Sequence, residues 1–345
     1  MRTLANLALG ATLLTSHLAY ALKAADIPHD LPVSELLKTA KIQFATGNIA
    51  DALTYYDVAI TRDPQNYLPI FNRGAAYLSL GKPSQARRDF DRVLALKPGF
   101  EGALVQRAKL RARGGEWEDA EKDYIAAGRG RESVEVSELL EARGAAIVAA
   151  SAAEKGEWEE CVHQSGTAIM VAAGDVGLRN LRAKCRFERG ELAEGISDLT
   201  HVLHINSGDV EPHIKISTLQ FFGLGETEAG LAQIRKCLQS DPESKACKKI
   251  MRQEKGIEKV VKKVRGLMEK KQNVAATKLL VPQGEEAGLL KEVKDEFEAL
   301  KKEGVVHVNT PNGLYANLVE LTCEAYVEVS SFHIHSFILK TDLYY

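Results

Sequence analysis

Five cysteines and two closely spaced histidine pairs are the residues of this sequence best suited to chemistry. His201 and His204 stand three residues apart, a step that places two imidazoles on one helix face. His333 and His335 flank an isoleucine close to the end of the chain. A zinc site needs three or four ligands, and neither pair has a third beside it. General acid–base catalysis needs a partnered nucleophile or acid, which is also missing, so His201 and His204 read as surface residues. Carboxylate runs such as "EWEDAEKD" read as the solvated side of a helix. No glycine-rich phosphate loop follows a strand. Cys161, Cys185, Cys237, Cys247 and Cys323 contain no C-x-x-C, so neither a zinc ribbon nor a thioredoxin-type motif is present. These residues predict a protein that is not an enzyme, with no catalytic residue, metal or cofactor.

Composition narrows the class further. The 345 residues are enough for two domains or one long repeat array. Charged residues make up 27% and the net charge is −2, which gives no electrostatic reason to expect nucleic acid or an anionic membrane as a main partner. Aromatics are only 6%, while Ala, Leu and Gly are plentiful, which suits close helix contacts. At the start, Arg2, the apolar run from Leu4 to Leu14 and Ala19-Tyr20-Ala21 follow the three-part pattern of a secretory signal peptide over residues 1–21. No later stretch is apolar enough to span a bilayer. The expected location is therefore a lumen or the cell exterior.

The elements that would position any site are announced by a period. Gly47, Gly81 and Gly115 are 34 residues apart, and so are Ala52, Ala86 and Ala120. Tyr56, Phe90 and Tyr124 keep the same step, as do Ala59, Val93 and Ala127, and upstream Ala40, Gly74 and Ala108. Pro64 and Pro98 close the first two units. A glycine ends each first helix in a left-handed conformation. Small residues at Gly74 and Ala86 let the two helices of a unit cross closely. The Phe90 ring fills the space beside the crossing. Proline stops the second helix. The columns resemble the tetratricopeptide repeat, a helix–turn–helix unit whose stacked copies wind into an all-α right-handed superhelix.

The first block of three repeats is placed at residues 31–130. "GRGRESVEVSELLEARGAA" then predicts a longer connecting helix within a second block, residues 131–255, where the period resumes at Gly156, Gly190 and Gly225 with steps of 34 and 35. Residues 256–329 read as a partial third block, with a weak seventh unit, a turn at Pro282–Gly284, an amphipathic helix and a first helix over 314–329. The tail, 330–345, does not fit the repeat and reads as a truncated or alternative C-terminus.

"KISTLQFFGLGETEAGLAQIRKCLQSDPESKAC" (215–247) together with "LRAKCRFERGELAEGISDL" (181–199) is similar to the endoplasmic-reticulum co-chaperones of the DnaJ subfamily C member 3 type, over residues 31–329. The resemblance implies nine repeats in three blocks that hold unfolded or misfolded polypeptides, and a J domain that stimulates the lumenal Hsp70. This sequence contains no His-Pro-Asp tripeptide, so Hsp70 appears only as a possible partner. The resemblance also implies a disulfide between Cys237 and Cys247; the alternative is two free thiols on adjacent helices. Cys161 and Cys185 read as small buried core residues rather than a pair. Cys323 resembles half of a second family disulfide.

In this repeat the first helices form the inner surface, which puts Leu37, Lys41 and Phe44, then Leu68, Phe71, Asn72 and Leu78, on that side. The apolar members Leu37, Phe44, Leu68, Phe71 and Leu78 are the expected client-binding patch, the alternative being core residues between helices. A carboxylate clamp for acidic C-termini is disfavoured. Asn72 fits it, but Leu37, Lys41, Gly102 and Gln106 do not supply the donors. The competing function is a scaffold that docks one folded protein, such as a kinase domain or a secretion subunit.

Overall fold

A computed structural model describes residues 22–281 and 288–341, with side chains described to Glu328. The expected signal peptide, residues 1–21, and the expected turn at Pro282–Gly284 lie outside the described residues. No strand occurs among the described residues, and none of their helices is long and apolar enough to cross a membrane.

The backbone groups into two compact units, one covering Met1–Arg111 and Glu118–Val136, the other Ala112–Trp117 and Ser137–Tyr345. The first unit is built from helices α1 (Val33–Ala45), α2 (Ile49–Arg62), α3 (Tyr67–Ser79), α4 (Pro83–Leu96), α5 (Glu101–Arg113) and α6 (Trp117–Ala126). Successive helices pair as α1 with α2 and α3 with α4, and α2 packs on α3. Each turn glycine takes the left-handed conformation the period requires: φ is +85° at Gly47, +66° at Gly81 and +78° at Gly115. The small-residue column has a specific cause. A Cβ on Gly74 would come within 2.7 Å of the Phe90 ring, and Phe90 is fully buried. The ring therefore occupies the volume that a side chain at 74 would need.

Most of the second unit follows residue 136, from within the long helix expected after residue 128, α7 (Val134–Lys155). It continues through α8 (Trp158–Val171), α9 (Val176–Glu188), α10 (Leu192–Ile205), α11 (Val210–Thr218), α12 (Thr227–Ser240), α13 (Lys245–Glu269), α14 (Asn273–Leu280), α15 (Gly288–Lys302) and α16 (Gly313–Thr341). The backbone of α16 thus carries on as helix through most of the tail that the period left unassigned. First helices start on side-chain caps: Asp175 accepts from Leu178 N, Asp209 from Glu211 N, and Ser244 from Cys247 N.

The one-residue excess between Gly190 and Gly225 is absorbed by a π-turn, Leu219–Gly223, at the end of α11. α12 crosses it very closely. A Cβ on Gly230 would lie 2.8 Å from the Ser217 carbonyl and 3.0 Å from the Phe221 amide nitrogen, so only glycine fits.

The seventh unit has Lys271 at the position of the turn glycine, with φ of +56°. A left-handed non-glycine residue costs roughly 1–2 kcal/mol. Lys271→Gly is therefore expected to raise the urea midpoint of the second unit by an amount worth roughly 1 kcal/mol, after the entropy of the added glycine is subtracted.

Candidate functional site

The five apolar residues of the expected patch do lie on first helices, but they differ in exposure. Leu37 and Phe44 on α1 are half-buried against the cluster of Ala40, Ala52, Tyr56 and Ala76. Phe71 and Leu78 on α3 pack on the cluster of Ile60, Ile70, Ala86, Phe90, Val93 and Ala103. The Phe71 ring meets Phe100 edge-on at 5.0 Å and Phe90 at 5.8 Å. Only Leu68, 41% exposed at the start of α3, offers a largely free apolar side chain. The patch is thus a strip of half-buried rings and aliphatic groups with one open member, flanked by exposed Lys41 and half-buried Asn72.

A ladder of ion pairs links the helices within each unit. Arg73 on α3 donates to both carboxylate oxygens of buried Asp89 on α4, at 2.8 and 2.6 Å, and to Asp57 on α2 at 2.8 Å. Thirty-four residues on, Arg107 repeats this with buried Asp123 at 2.8 and 2.7 Å and with Asp91 at 2.9 Å. Arg111 adds a third donor to Asp123 at 2.6 Å. In the second unit, Arg182 grips Asp198 at 2.9 and 2.5 Å, and Arg186 donates to it at 2.6 Å. The hydrogen bonds to Asp89 and Asp123, above all else, raise the pKa values of Arg73 and Arg107. These arginines staple the two helices of a unit, and Arg73 and Arg107 also reach the helix before it. Their signal was present in the sequence: Arg73 and Arg107, Asp89 and Asp123, and Asp57 and Asp91 each keep the 34-residue step.

A second buried polar group stands where Arg and Asp are missing. Ser217 Oγ lies 2.8 Å from the Gly230 carbonyl oxygen and 2.7 and 2.9 Å from the two carboxyl oxygens of Glu254 on α13. One hydroxyl hydrogen serves one acceptor. With Ser217 donating to Gly230, a protonated Glu254 donates to Ser217 Oγ and completes the chain. Burial pushes the Glu254 carboxyl up to about 8, with the Ser217 hydrogen bond opposing that shift.

Two disulfides join the second helix of one unit to the first helix of the next: Cys161 of α8 to Cys185 of α9, and Cys237 of α12 to Cys247 of α13. The first corrects the expectation of two unpaired core cysteines. Their Cα atoms are 6.2 Å apart, within bonding reach, and 161 and 185 fall on facing helices, which spacing along the chain does not reveal. Cys323 is a free, exposed thiol. The His201 and His204 rings lie 5.9 Å apart on an exposed face. The side chains of His333 and His335 lie outside the described residues. Among the described residues no three His, Cys, Asp or Glu side chains gather as metal ligands.

This architecture has recognisable relatives. Residues 36–66 match the tetratricopeptide repeat family model. The tetratricopeptide repeat and J domain-containing co-chaperone DNJ1 of Fusarium oxysporum f. sp. lycopersici is 49% identical over 327 residues, 95% of this chain and 63% of that protein. The chain is a homologue of the tetratricopeptide-repeat and J-domain co-chaperones. DNJ1 of Cryptococcus neoformans var. grubii is 30% identical over 87% of this chain and 59% of its own length. Human DnaJ homolog subfamily C member 3 is 30% identical over 68% of this chain and 48% of its own length. The crystal structure of the P58(IPK) TPR domain superposes with a TM-score of 0.70 at 26% identity, covering 90% of this chain and 84% of that one. The chain therefore spans less than two thirds of the length of these co-chaperones, and its structure corresponds to the repeat region.

Proposed function

We propose that this co-chaperone homologue holds unfolded or misfolded polypeptides on the first-helix face of its repeats in the endoplasmic-reticulum lumen, without catalysing a reaction. The observation that carries the reading is the 49% identity to a repeat and J-domain co-chaperone over nearly the whole chain. The apolar strip through Leu37, Phe44, Leu68, Phe71 and Leu78 supports it, because an extended client supplies apolar side chains to such a surface. The two disulfides support an oxidising compartment, and the signal-peptide pattern agrees with it. Delivery of clients to the lumenal Hsp70 extends the same proposal to the longer proteins of this type.

The test uses purified protein and a reduced, aggregating client followed by light scattering. Leu68→Glu is the informative variant, because Leu68 is exposed, whereas glutamate at Phe71 would disturb the packing on Phe90 and Phe100. Leu68→Glu is expected to lose at least half of the suppression with an unchanged melting temperature. Full suppression by the variant would remove Leu68 from the client face. No suppression by the parent protein, with a single stoichiometric partner recovered by crosslinking in the lumen, would replace the holdase reading with the scaffold.

A further inference from the structure

The chain's overall charge of −2 conceals a strongly basic helix. Residues 245–271, which are α13 and its following turn, carry eleven Lys and Arg against three Glu. Two of those three, Glu254 and Glu258, are buried on the core side. The solvent side is left almost purely cationic. At about 100° per residue, exposed Lys245, Arg252, Lys255, Lys259 and Lys263 fall within an arc of roughly 80°, and the 1.5 Å rise spreads them over about 27 Å. Carboxylates pair with basic residues beside these five: Lys248 with Glu243 at 3.1 Å, Lys249 with Glu303 at 2.8 Å, and Lys262 with Glu258 at 3.3 Å.

Such a face works against its own helix. Lys255 and Lys259, and Lys259 and Lys263, are like charges four residues apart, a spacing that destabilises a helix. An anionic partner would relieve this repulsion on binding. The arc also limits what that partner is. Residues 245–271 contain no aromatic side chain, so there is no platform on which nucleic-acid bases would stack. The apolar side of α13, with Ile250, Ile257, Val261 and Val264, is buried in the core, so the helix has no apolar face left to insert into a bilayer.

We infer that the solvent face of α13 is a docking surface for an acidic polypeptide segment of another protein, whose Asp and Glu side chains pair along the row from Lys245 to Lys263. Complementary charge supplies the attraction, and the 27 Å length suits an extended peptide of about eight residues or a helix of about eighteen.

A fluorescein-labelled twenty-residue polyglutamate peptide is the probe, titrated with the full chain by fluorescence polarisation in 50 and 300 mM salt. Binding is expected, weakening at least tenfold at the higher salt. The triple variant Lys255→Glu, Lys259→Glu, Lys263→Glu is expected to lose at least tenfold in affinity with an unchanged melting temperature. A control carrying Lys38→Glu, Lys109→Glu and Lys155→Glu, at exposed sites elsewhere, is expected to bind as the parent does. Equal losses in the two triple variants, or no binding by the parent, would overturn the assignment. So would vesicles with 30% phosphatidylserine binding the parent but not the α13 variant more tightly than the peptide does. Self-association in sedimentation that the α13 variant abolishes would instead make a second copy the occupant and likewise overturn it.

Discussion

Replacing Glu254 with glutamine is expected to stabilise the second unit, and the gain should grow with pH. The neutral side chain has the same shape, and its amide N–H donates to Ser217 Oγ as the protonated acid does. The folded carboxyl titrates near 8, while in the unfolded chain it returns to about 4.5. Between these values the folded state holds a proton that the unfolded state has released. Stability therefore falls as pH rises through this window, by up to tenfold in the folding equilibrium per pH unit. This is the reverse of the usual salt-bridged carboxylate. Below pH 4.5 the parent and Glu254→Gln should unfold at similar urea concentrations. By pH 8 the variant should be ahead by an amount approaching about 5 kcal/mol, the full linkage between the two values. Parallel urea midpoints for the two proteins from pH 4.5 to 8 would show that Glu254 ionises in the folded state without penalty.

Asp198→Ala should be the most damaging single change in the ion-pair ladder. Asp198 is 1% exposed and takes hydrogen bonds from Arg182 and Arg186, with Arg179 3.8 Å away. Burial lowers the pKa of Arg179, neighbouring Arg182 lowers it further, and Asp198 opposes both. Removing the carboxylate leaves three guanidinium groups facing a site with no counter-charge. Breaking a buried pair from one side costs about 3–5 kcal/mol. Asp198→Asn, which keeps an acceptor but not the charge, should fall between the alanine variant and the parent. Asp57, whose side chain is 54% exposed, holds Arg73 from the solvent side, and Asp57→Ala should cost under about 1 kcal/mol. Thermal melts of the three variants give the comparison. Equal losses for Asp57→Ala and Asp198→Ala would mean that burial does not set the strength of these pairs.

The repeat was legible because its columns answer to steric rules that hold in every copy. A left-handed turn favours glycine, and a crossing beside a ring needs a small residue. The places where the columns failed were informative as well. Lys271 stands in the turn with a positive φ, and the step of 35 before Gly225 marks the π-turn where α12 crosses at Gly230. The arginine and aspartate columns had the same period, yet charged residues on amphipathic helices ordinarily face water, so their burial did not show. The apolar residues of the expected patch could be assigned to α1 and α3 from the period, but their exposure could not be read from it. Whether Phe71 meets solvent or Phe100 depends on the neighbouring helix.

Local rules thus fixed, from the chain alone, that it is helical and where most of its turns fall; the likeness to the repeat-bearing co-chaperones rested on two particular stretches, 181–199 and 215–247. Contacts between residues distant in sequence decided the rest: the bond between Cys161 and Cys185, the burial of Asp198 among arginines, and the neutral Glu254 beneath Ser217. Period and propensity act within a turn or two of helix, whereas pairing and protonation depend on which groups the packing brings within a few ångströms and shields from water.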